Sequence, residues 1–362
     1  MSPFPLTAPR ARSPRTLLAL LSAVAIAVGA CAGAATPRPT ILPDATGSLI
    51  PAVTATPPAS ASPSPVAAFP MTLTDDEGTK VELASEPQTI VSLTPATTEI
   101  LFALGAGAHV VGKVEDFTPY LPEISAIPDV AKFGEVDVEK IVALGTDLVI
   151  AGGNNFNPPD KITQLRTLGI PVIVVYAPDV AGVLKDIELT GTAVGKAAGA
   201  KDLTASMRAA FDQVAAEMAG LAKPRVFYEL DASQKIYTAA DNSFLAEMIE
   251  LAGGAPITTG STTNFEIPLE TLVTADPELI LLGDAAYGTT ADVVKARNGW
   301  AGMTAVKSGA IVAVDDVVIS RPGPRLVDGL RELARAIHPD AAIHTPPPPA
   351  SVAPAASASS AP

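Results

Sequence analysis

The sequence predicts an α/β protein with two lobes, each built on a mostly parallel sheet flanked by helices, and with one long rigid helix joining them. Short apolar segments typical of strands alternate with helical segments on both sides of residues 201–221. Such alternation is typical of parallel sheets that helices cover on both faces. The segment 201–221 has apolar side chains three or four positions apart, the period of a helix buried along one side. These side chains are Leu203, Met207, Ala210, Phe211, Val214, Met218 and Leu221.

The joining helix is predicted over residues 199–223. It would be about 30 Å long, because a helix rises about 1.5 Å per residue. Since that length matches the diameter of a small domain, we interpret the helix as a spine between lobes at 71–198 and 224–340. The alternative is one more packing helix inside a single domain.

An export signal is predicted over residues 1–30. Three arginines precede an apolar run at 17–28, which is the order of charge and hydrophobicity in a signal peptide. The run is too short to span a bilayer comfortably, and it leads through small residues to Cys31, the only cysteine of the chain. This ending resembles the lipobox of bacterial lipoproteins, so Cys31 is predicted to be lipidated. An ordinary secretory signal with an incidental cysteine is the alternative.

Two segments are predicted to be disordered, because they are rich in Pro, Ala, Thr and Ser and lack an apolar period. One is a tether over residues 31–70, and the other is a carboxyl-terminal tail over residues 341–362. With the lipid anchor, the tether would hold the folded lobes at the outer face of the cell membrane.

The first lobe is predicted to begin with a hairpin over residues 71–81, with its turn at Asp76-Glu77-Gly78. After it, runs of apolar and β-branched residues indicate strands, and a capping residue or a proline marks the start of a helix. Thr94 and Asp137 are examples of such capping residues. The predicted strands cover 89–93, 110–112, 147–151 and 171–175, and the predicted helices cover 95–104, 138–144, 159–168 and 179–194.

The second lobe repeats the alternation of strand and helix. Its predicted strands cover 225–230, 279–282 and 310–314, and its predicted helices cover 244–251, 292–298 and 324–337. Residues 136–150 and 267–281 share a further signature in which an acid, Glu139 or Glu270, opens a short helix that precedes an acidic turn and a buried strand. This match favours two related lobes over chance, although acids near helix starts are common in any case.

The composition argues against several functions. A formal net charge of −14 disfavours nucleic acids and anionic lipids as partners. One cysteine excludes an internal disulfide, and three scattered histidines give no local spacing for a metal, so no metal site is expected. The glycines at 105–112 look like a dinucleotide fingerprint, but they end a helix instead of opening one, which is the role of a C-cap.

Four stretches resemble the cobalamin and iron-siderophore binding proteins of ABC importers. They are IVSLTPATTEILFALGAG at 90–107, Val138–Leu144, Tyr237-Thr-Ala with Ser243-Phe244, and Arg321-Pro-Gly-Pro-Arg325. The resemblance covers about residues 87–339. It implies two lobes bridged by a helix, little hinge motion, and a ligand in the cleft between the lobes. It also implies a permease and its ATPase as partners and no cofactor other than the transported ligand, and we expect a monomer.

The resemblance also assigns residues to roles. In that family one glutamate on each lobe docks onto arginines of the permease, and by motif these positions fall on Glu139 and Glu270. For the ligand, we consider side chains near the carboxyl ends of the predicted strands and in the family motifs, because open α/β sheets bind ligands beyond those ends. The predicted ligand-binding residues are Thr94, Phe117, Tyr120, Phe133, Asn155, Tyr237, Asn242, Ser243, Phe265 and Arg321.

Several functions stay open at this point. A few aromatic walls suit cobalamin, while a ferric siderophore or haem is the alternative ligand, and each aromatic residue taken alone could equally be part of the core. A membrane-anchored enzyme is a remote alternative, because the sequence has neither a nucleophile elbow nor a P-loop. A structural adhesion lipoprotein is a third reading, which the paired acids and the cleft-type architecture disfavour.

Overall fold

A short antiparallel hairpin opens the part of the chain that the computed structural model describes, residues 69–153 and 156–344. Its strands are Met71–Thr74 (β1) and Lys80–Leu83 (β2), as predicted. The predicted signal peptide, Cys31, the tether up to residue 68, Asn155 and the tail beyond residue 344 lie outside the described residues.

The first main sheet contains six strands. They are Ile90–Ser92 (β3), Val110–Val114 (β4), Asp129–Lys132 (β5), Glu135–Val136 (β6), Leu148–Gly152 (β7) and Val172–Val175 (β8). The order across the sheet is β6-β5-β4-β3-β7-β8, and all neighbours are parallel except β5 and β6. The sequence does not predict β5 and β6, because β5 forms by pairing with β4 and β6 by pairing with β5, and neither is a local apolar run.

Helices cover both faces of this sheet. They are Pro95–Ala103 (α1), Val138–Ala143 (α2), Pro159–Thr167 (α3) and Val180–Ala193 (α4). Side chains of α1, α4 and the hairpin pack on one face, and side chains of α2 and α3 pack on the other. Thr94 and Asp137 cap α1 and α2 as predicted, each accepting a hydrogen bond from a first-turn amide.

One long helix, Ala197–Met218 (α5), lies in the chain between the two main sheets. Its buried side chains, which include Met207, Phe211 and Val214, belong to an apolar cluster that also contains residues of α4 and of the second sheet. The predicted stripe ends earlier than expected. Leu221 lies beyond the helix and is 39% exposed, because the chain turns away at Gly220 with a φ of 84°.

The second main sheet contains four parallel strands, Arg225–Glu229 (β9), Ala255–Pro256 (β10), Leu279–Leu282 (β11) and Ile311–Ala313 (β12). The accompanying helices are Phe244–Leu251 (α6), Leu269–Ala275 (α7), Ala291–Ala296 (α8), Thr304–Ser308 (α9), Asp316–Ser320 (α10) and Leu326–Ile337 (α11). Among these elements, β10, α9 and α10 are too short to give a periodic signal and are not predicted. The predicted α/β class, with two parallel-rich sheets and a long connecting helix, is confirmed.

Four strands of the first main sheet have the same order as the four strands of the second. In the first, the strands run β4-β3-β7-β8, and in the second they run β10-β9-β11-β12. In each set of four, the strand that comes first in the sequence (β3 or β9) is central. The second strand in the sequence (β4 or β10) lies on one side of it, and the last two lie on the other side. The short helices α2 and α7 precede the equivalent strands β7 and β11, so Glu139 and Glu270 occupy matching places. Within residues 69–153 and 156–344, no helix has both the length and the apolar run needed to cross a membrane.

Candidate functional site

The carboxyl ends of the strands in the two sheets face each other. The amide of Val180, which opens α4 after β8, donates to the carboxylate of Glu247 in α6 at 2.7 Å. Arg321, which follows α10, donates to Asp116, two residues beyond β4, at 3.1 Å. Because both contacts join the two lobes near these edges, the space between the edges is the candidate ligand cleft.

Four charged side chains meet where the edges come together, and we call Glu99, Asp116, Arg321 and Arg325 the inter-lobe ion cluster. Arg325 contacts both carboxylate oxygens of Glu99, at 2.6 and 2.9 Å. Arg321 donates to the same Glu99 at 2.7 Å and to both oxygens of Asp116 at 3.1 and 3.2 Å. The cluster therefore links helix α1 of the first lobe to the segment between α10 and α11.

The inter-lobe ion cluster is balanced and largely withdrawn from water. Its two positive and two negative groups neutralise one another, and the most exposed member, Arg325, has a side chain only 18% exposed. The hydrogen bonds from Arg325 to Glu99 raise the pKa of Arg325, which stays charged. Removing one partner would leave another charge buried and unpaired, which costs about 3–5 kcal/mol in such clusters.

Exposed aromatic side chains lie around the candidate cleft. Phe117, just beyond β4, is 86% exposed, and Phe133, in the turn between β5 and β6, is 73% exposed. Phe133 also contacts Phe156, the ring centroids being 5.4 Å apart in an edge-to-face arrangement. Tyr120 lies under the guanidinium of Arg325, at 4.7 Å from the ring centroid. Phe265 is exposed as well.

Two further tyrosines lie at the same edges, although the sequence analysis does not select them. Tyr176 directly follows β8 and is half-exposed, and Tyr287 follows β11 by five residues and is 91% exposed. Arg325 and Glu99 are also missed as members of the inter-lobe ion cluster. A search for aromatic residues within five positions of each buried strand's carboxyl end would have found both tyrosines.

The remaining predicted ligand-binding residues are engaged in local structure. Thr94 is buried, and its hydroxyl caps α1. Ser243 caps α6, and Asn242 before it is exposed and has a φ of 55°, in the left-handed region. Tyr237 is half-buried and pairs through its backbone with Glu266, next to Phe265.

One cavity of about 910 Å³ is lined by residues of both lobes. It is bordered by Asp179 and Ala181 at the start of α4 and by Asn242, Glu247 and other residues of the second lobe. None of the exposed aromatic side chains contributes to it. Of the predicted ligand-binding residues that the structure describes, Asn242 alone borders this cavity, which lies beside the Val180–Glu247 contact.

The two predicted docking acids are both exposed in the first turns of their helices, Glu139 in α2 and Glu270 in α7. These first turns lie at the cleft side of each lobe, because a helix that precedes a parallel strand runs against the strand direction. No side-chain hydrogen bond or ion pair within residues 69–153 and 156–344 engages either carboxylate. Both are therefore available to an external cationic partner.

In the described part of the chain, no three His, Cys, Asp or Glu side chains are arranged to hold a metal ion. The cleft instead combines aromatic rings with a neutralised ion cluster, which is suited to enclosing a bulky, largely apolar molecule.

Comparison with known proteins gives a consistent result. Residues 90–318 match the profile of the periplasmic binding protein family. The chain is 34% identical over 277 residues to the uncharacterized ABC transporter substrate-binding lipoprotein YvrC of Bacillus subtilis, with 75% of this chain and 87% of that protein covered. It is 33% identical over 311 residues to a cobalamin-binding protein of Halobacterium salinarum, with 79% and 82% covered.

Solved structures share the fold. The periplasmic vitamin B12 binding protein BtuF of Vibrio cholerae has a TM-score of 0.61 at 24% identity, covering 70% of this chain and 97% of its own. The periplasmic haem-binding protein RhuT from Roseiflexus has a TM-score of 0.62 at 27% identity, covering 70% and 98%.

Proposed function

The chain belongs to the periplasmic binding protein family as a substrate-binding protein of an ABC importer, and we propose that its own ligand is cobalamin or a related corrinoid. The matched relatives are named for binding and not for catalysis, so the protein is not an enzyme, and the molecule it carries is a transported ligand instead of a cofactor. The observation that carries the proposal is a set of exposed aromatic side chains near the two facing sheet edges. We call these side chains, Phe117, Phe133, Phe265 and Tyr287, the cleft aromatics.

The chemistry of the cleft aromatics fits a corrinoid. Phe117, Phe133, Phe265 and Tyr287 offer flat apolar surfaces of the kind that contact a macrocycle. Beside Phe117, the charges of the inter-lobe ion cluster are already paired with one another. The cobalamin-binding relative from Halobacterium salinarum supports the same ligand class.

Haem is the second candidate, because the edges also carry exposed tyrosines. A phenolate can bind the iron of haem, and Tyr120, Tyr176 and Tyr287 are each at least half-exposed. The likeness to the haem-binding protein RhuT agrees with this alternative. A ferric siderophore remains the third ligand of the same importer class.

Delivery and anchoring complete the proposed role. Glu139 and Glu270 would dock onto basic patches of a permease, whose ATPase drives import. Cys31 would carry the lipid that holds the protein at the outer face of the cell membrane. Their support is the equivalent position of the two glutamates in the two lobes and the place of Cys31 after an apolar signal-like run.

A ligand titration tests the proposal. The purified protein is mixed in turn with cyanocobalamin, haemin and a ferric hydroxamate siderophore, and both the absorption spectrum and the melting temperature are followed. A ligand at about 100 times its Kd stabilises the fold by about 2.7 kcal/mol, which for lobes of this size raises Tm by about 5–10 °C. We expect this shift with cyanocobalamin and one-to-one binding. A shift with haemin or the siderophore alone would replace the corrinoid by that ligand.

A further inference from the structure

The loop that carries Phe117 has few attachments to the sheet that precedes it. The loop covers residues 115–121, between β4 and the short turn of helix at Pro122–Ala126. Its first amide, that of Glu115, donates to Ala131 at 2.7 Å. For residues 116–120, no backbone hydrogen bond to another element occurs in the described part of the chain. Side-chain contacts must therefore hold this loop in place.

Within the loop, Asp116 accepts hydrogen bonds from the amide and the hydroxyl of Thr118. The side-chain contacts that leave the loop lead to two arginines of the other lobe. Arg321 donates to both carboxylate oxygens of Asp116 and, at 3.2 Å, to the hydroxyl of Thr118. The guanidinium of Arg325 lies 4.7 Å from the ring centroid of Tyr120. Three residues of the loop are thus fixed from across the cleft.

The arginines are themselves held firmly. Both donate to Glu99, a buried residue of α1. Arg321 directly follows α10, and Arg325 directly precedes α11, whose inner side is buried in the core. Each arginine therefore has one side fixed by Glu99 and another side that holds the loop.

Phe117 lies between the two loop residues that contact Arg321. The chain bends at Phe117 and Thr118, where the Thr118 amide donates to Asp116 at 3.0 Å. Asp116 is turned toward Arg321 with a side chain 7% exposed, while Phe117 is 86% exposed. The anchors on each side of Phe117 fix its backbone and leave its ring free to meet a ligand.

We propose that Arg321 and Arg325 are positioning residues that hold the 115–121 loop over the cleft and so set the place of Phe117, without contacting the ligand themselves. This differs from the direct ligand contact that the sequence suggests for Arg321. The effect on affinity rests on the proposed function, whereas the effect on the loop does not.

The loop is tested first, without any ligand. Phe117→Trp places an indole in the loop, and its fluorescence anisotropy and its quenching by acrylamide report local motion, because the native Trp300 is buried. We expect lower anisotropy and stronger quenching when Arg321→Gln or Asp116→Asn is added. Asp116→Asn leaves both arginines paired with Glu99, so it keeps the proposal testable if Arg321→Gln folds poorly. Arg208→Gln, an exposed arginine of α5 with a 4.0 Å contact to Glu188, is the matched control.

Ligand affinity is tested by a double-mutant cycle. Asp116→Asn alone should weaken ligand binding about tenfold, and it should add almost nothing in a Phe117→Ala background, because the two residues act through one contact. Unchanged indole mobility in both variants would overturn the proposal. Fully additive losses of affinity would also overturn it, since they would mean that the ion cluster meets the ligand directly. If no ligand binds, the fluorescence result still decides the positioning role.

Discussion

The carboxylate of Glu229 is bound by both terminal nitrogens of the Arg297 guanidinium, at 2.6 and 2.7 Å, and its side chain is fully buried. Glu229 ends β9 at the cleft edge of the second lobe, and Arg297 also lies 4.6 Å above the ring of Trp300. Burial raises the pKa of Glu229, although the hydrogen bonds and charge of Arg297 oppose this. Arg297 therefore opposes the upward pKa shift that burial and the nearby Asp284 impose on Glu229.

Arg297→Gln should destabilise the protein strongly at neutral pH. The substitution leaves the Glu229 carboxylate buried without its charged partner, which costs about 3–5 kcal/mol. Without Arg297 the pKa of Glu229 rises further above its unfolded value, so the variant loses stability as pH rises above about 4.5. Urea unfolding followed by Trp300 fluorescence at pH 5 and pH 7.5 measures both effects.

The control for Arg297→Gln lies in the preceding helix, α8. Lys295 contacts Asp292 at 3.7 Å, and its side chain is 46% exposed. Lys295→Gln should change the free energy of unfolding by less than about 0.5 kcal/mol. An Arg297→Gln variant as stable as this control at pH 7.5 would show that Glu229 readily takes up a proton or finds water.

A second buried carboxyl predicts a pH dependence of stability. Burial, together with the nearby Asp76 carboxylate, raises the pKa of Asp186 in α4 to about 9. Burial also pushes the pKa of Asp76 upward, but hydrogen bonds from Asp186, Lys185 and the Tyr176 amide outweigh it, so the pKa of Asp76 is lowered. Asp186 is therefore protonated in the fold at neutral pH.

The sign of the effect follows from that raised pKa. Between about pH 4 and pH 9 the folded state binds one proton more at Asp186 than the unfolded state, so stability falls as pH rises, by at most about 1.4 kcal/mol per pH unit. Asp186→Asn should flatten this slope and be more stable than wild type at pH 8. Asp76→Asn is the comparison and should be less stable, because Lys185 and the Tyr176 amide lose a charged acceptor. Parallel pH profiles for wild type and Asp186→Asn would contradict the assignment.

Most of the regular structure could be predicted from the sequence, because it has a local cause. Strands such as Val172–Val175 are continuous apolar runs, and α1 begins at a threonine that caps it. The elements that were missed depend on distant partners or are too short for a period. Glu135–Val136 exists as a strand only because Asp129–Lys132 lies beside it, and α10 has five residues.

The site was harder to predict, because its central contacts join residues far apart in sequence. Glu99 reads as an ordinary helical position, and nothing local shows that two arginines more than 200 residues away will meet it. A family motif points to Arg321, but its contact with Asp116 depends on the tertiary structure. The predicted strand ends indicate where the cleft edges lie, but they do not show which side chains remain exposed and unpaired there.

Tyr287→Ala tests whether the cleft aromatics bind the ligand. The side chain is almost fully exposed, so its removal should leave the free energy of unfolding within about 0.5 kcal/mol. Loss of one stacking contact should weaken ligand binding about tenfold, or about 1.4 kcal/mol. Leu168→Ala is the matched control, because Leu168 is 55% exposed at the end of α3, away from the cleft. Equal affinities of the two variants would remove Tyr287 from the site.

Lipidation of Cys31 makes a prediction about the mature protein. Cells grown with labelled palmitate should incorporate the label into the wild-type chain and into Thr36→Ala, but not into Cys31→Ala, because the chain has no other cysteine. The labelled protein should partition with the membrane, since two or more acyl chains give stable anchoring. Mass spectrometry that finds an unmodified mature terminus elsewhere would indicate an ordinary secretory signal.

Glu139 and Glu270 make the sharpest prediction about transport. Both carboxylates are exposed at equivalent places in the two lobes, and neither supports the fold through a side-chain partner within the described residues. Glu139→Arg combined with Glu270→Arg should therefore fold normally and keep its ligand affinity, with a stability change of about 1 kcal/mol or less. Import and permease-stimulated ATP hydrolysis should fall sharply, because reversed charges slow association and disturb register.

Two other exposed glutamates serve as the control for that double reversal. Glu82 in β2 and Glu250 in α6 give the same change of net charge when both are replaced by arginine, but they lie away from the first turns of α2 and α7. The control should transport at the wild-type rate, and each single reversal at Glu139 or Glu270 should cause part of the loss. If the double reversal at Glu139 and Glu270 transports as well as this control, the two acids only stabilise the starts of their helices. Docking would then have to use another part of the rim.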